Sequence, residues 1–133
     1  MNGVDCFFDT NVLLYLLSKD AVKADRAEAL LASGGVVSVQ VLNEFVSVAT
    51  RKLAMKIPEI REILSTIRTV CIVSPLDIET HDLGLDMAER YGFSIYDGLI
   101  VAAAARAKCA TLYTEDLQHG QVIDQLEIRN PFV

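Results

Sequence analysis

The chain has 133 residues, 52% of them hydrophobic and 23% charged, with only seven Gly and three Pro. That is room for one ordinary domain able to bury roughly two-thirds of its unfolded surface without a disulfide or structural metal, and it excludes disordered, collagenous and low-complexity chains. Lys plus Arg is 12 against 18 Asp plus Glu, a net charge of −6, which excludes a protein whose whole surface grips nucleic acid by charge. Phosphate contact would need a local basic patch or a bridging cation.

Cys6, Cys71 and Cys109 are odd in number, show no C-x-x-C spacing and lie in or beside apolar runs, so they read as inert core thiols in a reducing compartment. Met1 to Asp5 lacks the basic start and apolar core of a signal peptide, and the longest purely apolar run, Leu99 to Ala105, is far short of a membrane span. The expectation is a soluble cytoplasmic protein with no membrane partner, a single domain over residues 1–133.

In chain order, Val4 to Phe8 reads as a strand that stops at Asp9, and Asn11 to Leu17 as a short buried helix. Asp20 to Ala32 is amphipathic, with Ala27, Leu30 and Leu31 on its apolar face, and Gly34-Gly35 ends it. Val36 to Ser38 is a short strand, and Ser38 caps a helix running to about Leu53. Pro58 suits the first turn of a helix reaching about Arg68.

Val70 to Val73 is the next strand, followed by a helix from about Asp77 to Tyr91 that ends at Gly92. Ser94 caps a helix over Ile95 to Lys108, Thr111 to Thr114 is a strand, and Leu126 to Arg129 is an edge strand. The Ala102 to Ala105 run and Gly98 permit close helix packing. Strands separated by helices imply a three-layer α/β/α sandwich around a mainly parallel sheet, whose ligands sit beyond the carboxyl ends of the strands.

Four acids fall at that edge. Asp9 follows the first strand and Asp116 follows the Thr111–Thr114 strand. Asp97 lies in the first turn of the Ser94-capped helix, and Glu44 in the second turn of the Ser38-capped helix beside Val41, Phe45 and Val48. Each has an ordinary structural reading: a cap for Asp9, a helix-dipole partner for Asp97, a turn residue for Asp116. Glu44 is harder to dismiss, because its apolar neighbours imply a mostly buried setting.

Two carboxylates about 5 Å apart repel by roughly 3 kcal/mol at an effective dielectric near 20. Four cannot all stay ionised together without a counter-charge, and no Lys or Arg lies within three positions of any of them. A divalent cation meets that need, and an all-oxygen site suits Mg²⁺ or Mn²⁺ and not Zn²⁺. His81 and His119 have no metal-ligand spacing, and neither a Gly-rich phosphate loop nor a Ser-His-Asp arrangement is present.

At these residues the chain resembles the PIN domains, and within them the VapC-type toxins of toxin–antitoxin pairs. The likeness runs through "FFDTNVLLYLL", "VSVQVLNEF", "YGFSIYDGLIVAAAARAKCATLYTEDL" and "LEIRNPF". The resemblance implies a metal-dependent endoribonuclease whose metal-site and catalytic acids are Asp9, Glu44, Asp97 and Asp116, supported by the polar Asn11 and Thr114. It also implies an RNA substrate, a homodimer, and a small antitoxin whose tail covers the acidic site.

Three other readings compete. A phosphoacceptor receiver domain would want paired acids after the first strand and a Lys after a late one, where this chain has Asp9-Thr10-Asn11 and Glu115-Asp116. An Asp-nucleophile phosphatase would need an acid where Asn11 stands. A catalytically silent interaction module on the same fold is opposed by the intact set of acids. The one basic stretch is Lys19–Arg68, with eight basic and six acidic residues. Within it, Arg51, Lys52 and Lys56 follow the Glu44 helix and are expected to contact RNA phosphates, against the ordinary reading of a solvated face.

Overall fold

The structure is a computed structural model that describes residues 5–133. Val4, the start of the first predicted strand, and Met1 to Gly3 of the N-terminal segment read for a signal peptide lie outside the described residues. The elements are β1 (Cys6–Phe8), α1 (Thr10–Leu14), a 3₁₀ turn (Tyr15–Leu17), α2 (Ala21–Ala32), β2 (Gly35–Ser38), α3 (Val39–Lys52) and α4 (Ile57–Val70). They continue with β3 (Cys71–Ser74), α5 (Ile78–Tyr91), α6 (Ile95–Arg106), β4 (Thr111–Tyr113), β5 (Val122–Ile123) and β6 (Leu126–Arg129).

The helices begin where the sequence supplies caps. Asp20, Ser38, Asp77 and Ser94 each accept a backbone N–H from the first turn of α2, α3, α5 and α6 respectively. Pro58 sits in the first turn of α4, where Glu59 Oε1 accepts the Lys56 N–H at 3.0 Å. Gly92 ends α5 in the left-handed conformation, with φ of 74°.

The six strands form one sheet in the order β3-β2-β1-β4-β6-β5, parallel except for the β5–β6 pair. The chain moves one way from β1 to β3, then returns to place β4 on the other side of β1. Right-handed crossovers therefore put α1 to α4 on one face and α5 with α6 on the other. The contacts agree: α3 packs on α1 and α4, and α5 packs along α6. Central strands covered on both faces are apolar throughout, as Phe7, Phe8, Val37, Leu112 and Ile128 are, each fully buried. This is the expected three-layer α/β/α sandwich. Its order differs from the 2-1-3-4-5 of receiver-type sheets, which removes the phosphoacceptor reading.

The middle of helix α6, Gly98 to Ala104, is apolar and buried on all sides, and the helix runs antiparallel to α5. Arg106 Nη1 reaches Asp77 Oδ1 at 2.6 Å at one end, and at the other Gly98 lies against the Gly84 carbonyl and Ala88. A methyl group at Gly84 would lie 2.6 Å from Leu99 Cδ2, so both glycines are needed for this approach.

Four expectations change in detail. The Asn11–Leu17 helix is a short α-helix tightening into a 3₁₀ turn, closed by the Ser18 N–H on Tyr15 O at 3.1 Å. Gly34 alone takes the left-handed turn, with φ of 81°, whereas Gly35 opens β2. A side chain at Gly35 would meet Phe8 Cε2 at 2.6 Å. The third strand is Cys71–Ser74 because α4 runs on through Val70. Finally, Leu126–Arg129 is not an edge strand: the turn at Asp124, with φ of 55°, folds β5 back along it as the true edge.

Candidate active site

The strand order reverses between β1 and β4, and there the crevice beyond the carboxyl ends opens. The parallel register pairs Phe8 with Tyr113, which brings the next residues, Asp9 and Thr114, side by side. The Asp9 N–H donates to Tyr113 O at 3.0 Å and the Thr114 N–H to Arg129 O at 3.0 Å, so both positions are fixed by the sheet itself. From the two faces, α3 contributes Glu44 and α6 contributes Asp97, and the segment after β4 adds Asp116. All four acids line one cleft of about 380 Å³.

Asp9 is the buried member, 4% exposed, and it is fully engaged. Its Oδ1 accepts the Thr10 N–H at 2.7 Å, and its Oδ2 accepts the Thr114 hydroxyl at 2.8 Å and Asn11 Nδ2 at 3.5 Å. The cap and the site residue are thus the same carboxylate. Asn11 Oδ1 in turn accepts the Glu115 N–H at 3.2 Å, and Thr114 Oγ1 accepts the Asp116 N–H at 3.0 Å. The two expected helpers therefore hold Asp9 and shape the loop that carries Asp116.

Glu44 is half-buried, less than its sequence neighbours implied, because it sits at the cleft edge of the apolar face of α3. Thr10 Oγ1 donates to its Oε1 at 2.8 Å, and Gln40 Nε2 donates to its Oε2 at 3.3 Å and to Tyr96 O at 3.2 Å. Gln40 and Thr10 were not singled out from the sequence. A lone polar residue beside an acid carries no periodic signal, though Gln40 lies one helical turn before Glu44 and is only 6% exposed.

Burial pushes the Asp9 carboxyl up to about 7; the Thr114 and Thr10 hydrogen bonds oppose this, while the charges of Asp116 and Glu44 add to it. Burial also raises Asp97, helped by the charge of Asp116 and then that of Glu44, against the Ser94 hydrogen bond. The four acids share one electrostatic field. Among the described residues none of them is in an ion pair; the two pairs present, Arg106–Asp77 and Arg129–Glu127, involve other acids.

The cleft offers oxygen donors and no His or Cys, which is the chemistry of a hard cation. Among the described residues no three acidic, His or Cys side chains form a ready-made metal cage. A hard cation such as Mg²⁺ takes one or two carboxylates from a protein and keeps several waters. Asp9, Glu44, Asp97 and Asp116 are the residues able to hold it.

Of the three basic residues expected at RNA, Arg51 lines the cleft; Lys52 and Lys56 are exposed and do not. Tyr96, not anticipated, also lines it. His119 holds no acid: its Nδ1 accepts the Asn130 N–H at 2.9 Å. The thiols of Cys71 and Cys109 are pushed up to about 12, chiefly by burial, in keeping with unreactive core groups. No helix among the described residues is long and apolar enough to cross a membrane.

No curated protein sequence matches the chain. Among solved structures, the fold is similar to VapC20 of Mycobacterium tuberculosis, a toxin that cleaves the sarcin–ricin loop, at 18% identity and a TM-score of 0.68 over 84% of this chain and 89% of that one. A toxin–antitoxin complex from Klebsiella pneumoniae is similar at 18% identity and a TM-score of 0.71, covering 95% of this chain and 97% of that one. VapBC2 of Rickettsia felis, solved on a DNA fragment from its promoter, is similar at 21% identity and a TM-score of 0.65, covering 94% and 97%. The sequence profile of the PIN domain matches residues 6–123, and with a parallel sheet that gathers four carboxylates at its β1/β4 switch, the chain belongs to the PIN domain family.

Proposed function

We propose that this chain is a Mg²⁺- or Mn²⁺-dependent endoribonuclease and the toxin of a toxin–antitoxin pair. The observation that carries the reading is the cleft itself: Asp9, Glu44, Asp97 and Asp116 converge on it from separate elements, and none has a protein counter-charge within ion-pair distance among the described residues.

When bound, the cation would supply Lewis acidity at the scissile phosphate and a water that ionises near neutrality. The four carboxylates hold it. Asn11 and Thr114 keep Asp9 in one orientation, and Thr10 with Gln40 does the same for Glu44. Asp97, half-buried in the first turn of α6, faces the same cleft, and one of the four carboxylates accepts the proton of the attacking water. Arg51 contacts a phosphate of the bound strand from the α3 wall, and Lys52 and Lys56 extend that contact outside the cleft.

The toxin assignment rests on likeness to proteins solved as toxin–antitoxin complexes. The resemblance to the VapC-type toxins extends the proposal to a single 1–133 domain acting in the cytoplasm as a homodimer, with an antitoxin tail that covers the acids and places a basic side chain where the metal's charge would be. RNA cleavage by the parent and by Asp97→Asn, with Mn²⁺ or with a chelator, tests the nuclease reading. Co-expression with the product of a short neighbouring reading frame tests the partner.

A further inference from the structure

One wall of the cleft carries a feature that carboxylate chemistry does not require. Tyr96, in the first turn of α6, lines the cleft beside Asp97 while 63% of it stays exposed. Each of the other three tyrosines has a ring against it: Tyr113 on Phe8, Tyr15 on Phe132, Tyr91 on Phe93. Tyr96 has no ring partner, and its hydroxyl has no hydrogen bond, among the described residues. Its backbone, in contrast, is fixed. The nitrogen of buried Gln40 that donates to Tyr96 O at 3.2 Å also donates to Glu44 Oε2 at 3.3 Å. An open aromatic face is thereby held at a set position next to two of the four acids. From the helix on the opposite face of the sheet, Arg51 lines the same cleft, its Nε on Ser47 Oγ at 3.0 Å.

Building on the endoribonuclease reading, we propose that Tyr96 is the stacking platform for an unpaired nucleobase adjoining the scissile phosphate, with Arg51 on a neighbouring phosphate. Every base has a π face, so such a platform gives affinity and register with little choice of sequence. A base held in a duplex has its faces covered by its neighbours, so the platform selects single-stranded RNA. A protein segment is the rival occupant of an exposed ring. RNA is favoured because the ring shares its cleft with the acids and a guanidinium and does not sit on a separate apolar surface.

The test is steady-state cleavage at one mapped bond of a single-stranded RNA decamer in Mn²⁺, with one position at a time made abasic. Tyr96→Ala and Tyr96→Leu raise KM roughly 5- to 100-fold with a smaller effect on kcat, while Tyr96→Phe stays close to the parent. In the parent, one abasic position costs as much as Tyr96→Ala; in Tyr96→Ala that position costs nothing further. The Mn²⁺-induced rise in Tm is the same in all variants, because no carboxylate has changed. Tyr96→Ala with the parent's KM on every decamer overturns the platform and leaves the ring to a protein partner. A parent that cuts no RNA overturns the nuclease reading, a failure seen before any variant is made.

Discussion

The Thr114 hydroxyl donates to Asp9 Oδ2 at 2.8 Å across 105 residues of sequence, joining the ends of the two strands between which the sheet reverses direction. Thr114 is fully buried and Asp9 nearly so, and the same hydroxyl oxygen accepts the Asp116 N–H. One side chain thus orients a buried carboxylate and the loop bearing a second one.

Thr114→Val keeps the shape and removes that hydroxyl. The loss leaves a buried carboxylate oxygen short of its best donor, at a cost of about 1–3 kcal/mol in urea unfolding. Because the Thr114 bond lowers the Asp9 pKa, its removal raises that pKa further, and the acidic limb of the cleavage profile moves to higher pH. A profile superposable on the parent's would show that Thr114 does not tune Asp9.

Without metal, Asp9 makes stability depend on pH with a definite sign. Its carboxyl titrates at 3.8 ordinarily and at about 7 in the folded chain, so between those values the folded state holds the extra proton. The contribution is fully present below pH 3.8 and is lost as pH rises through about 7. In a chelator, the Tm of the parent relative to Asp9→Asn should therefore fall across that window. Mn²⁺ reverses the fall at the alkaline end, because metal takes the ionised form. A difference in Tm that is flat with pH contradicts the burial argument.

Gly98→Ala tests how the Asp97 helix is seated. The new methyl would press on the Gly84 carbonyl and on Ala88, and backbone cannot swing aside as a side chain end can. The expected cost is about 1–3 kcal/mol of stability, with reduced cleavage because α6 carries Asp97 and Tyr96 away from the cleft. Unchanged Tm and rate would mean that α5 and α6 yield more easily than this contact implies.

The phosphate contacts separate by position. Arg51 lines the cleft and Lys52 and Lys56 do not, so Arg51→Ala alone should account for most of the binding lost by the triple alanine variant. It should also reduce the magnitude of the salt slope of RNA binding by about one phosphate's worth. Equal losses from all three single variants would place the strand across the outer face of α3 and α4 instead.

The sequence was most legible where local chemistry decides. Ser38, Asp77, Ser94 and Gly92 mark helix ends because caps act within one turn, and the four acids that share the cleft stand out in the sequence because each lies near a strand's carboxyl end or in the opening turns of a helix. What escaped notice depends on the fold. Gly35 reads as a helix stop but is glycine because Phe8 lies against it, and the two-residue β5 is too short for any period to register. Thr10 and Gln40 gain their roles only when α1, α3 and α6 meet around Glu44. The exposure of Tyr96 is likewise a tertiary fact: its sequence context is the start of an apolar helix.

The most direct test is Asp97→Asn measured for RNA cleavage and Mn²⁺ binding together. Asn keeps the size of the side chain and its place behind the Ser94 cap while removing one of the four charges. The parent should cut RNA with Mg²⁺ or Mn²⁺, stop in chelator, and gain Tm as Mn²⁺ is added, by mass action on the folded state. Asp97→Asn should match or exceed the metal-free Tm of the parent, since a repulsion is relieved, yet lose both the cleavage and most of the Mn²⁺-induced gain. An Asp97→Asn protein that cuts RNA at the parent's rate contradicts the account.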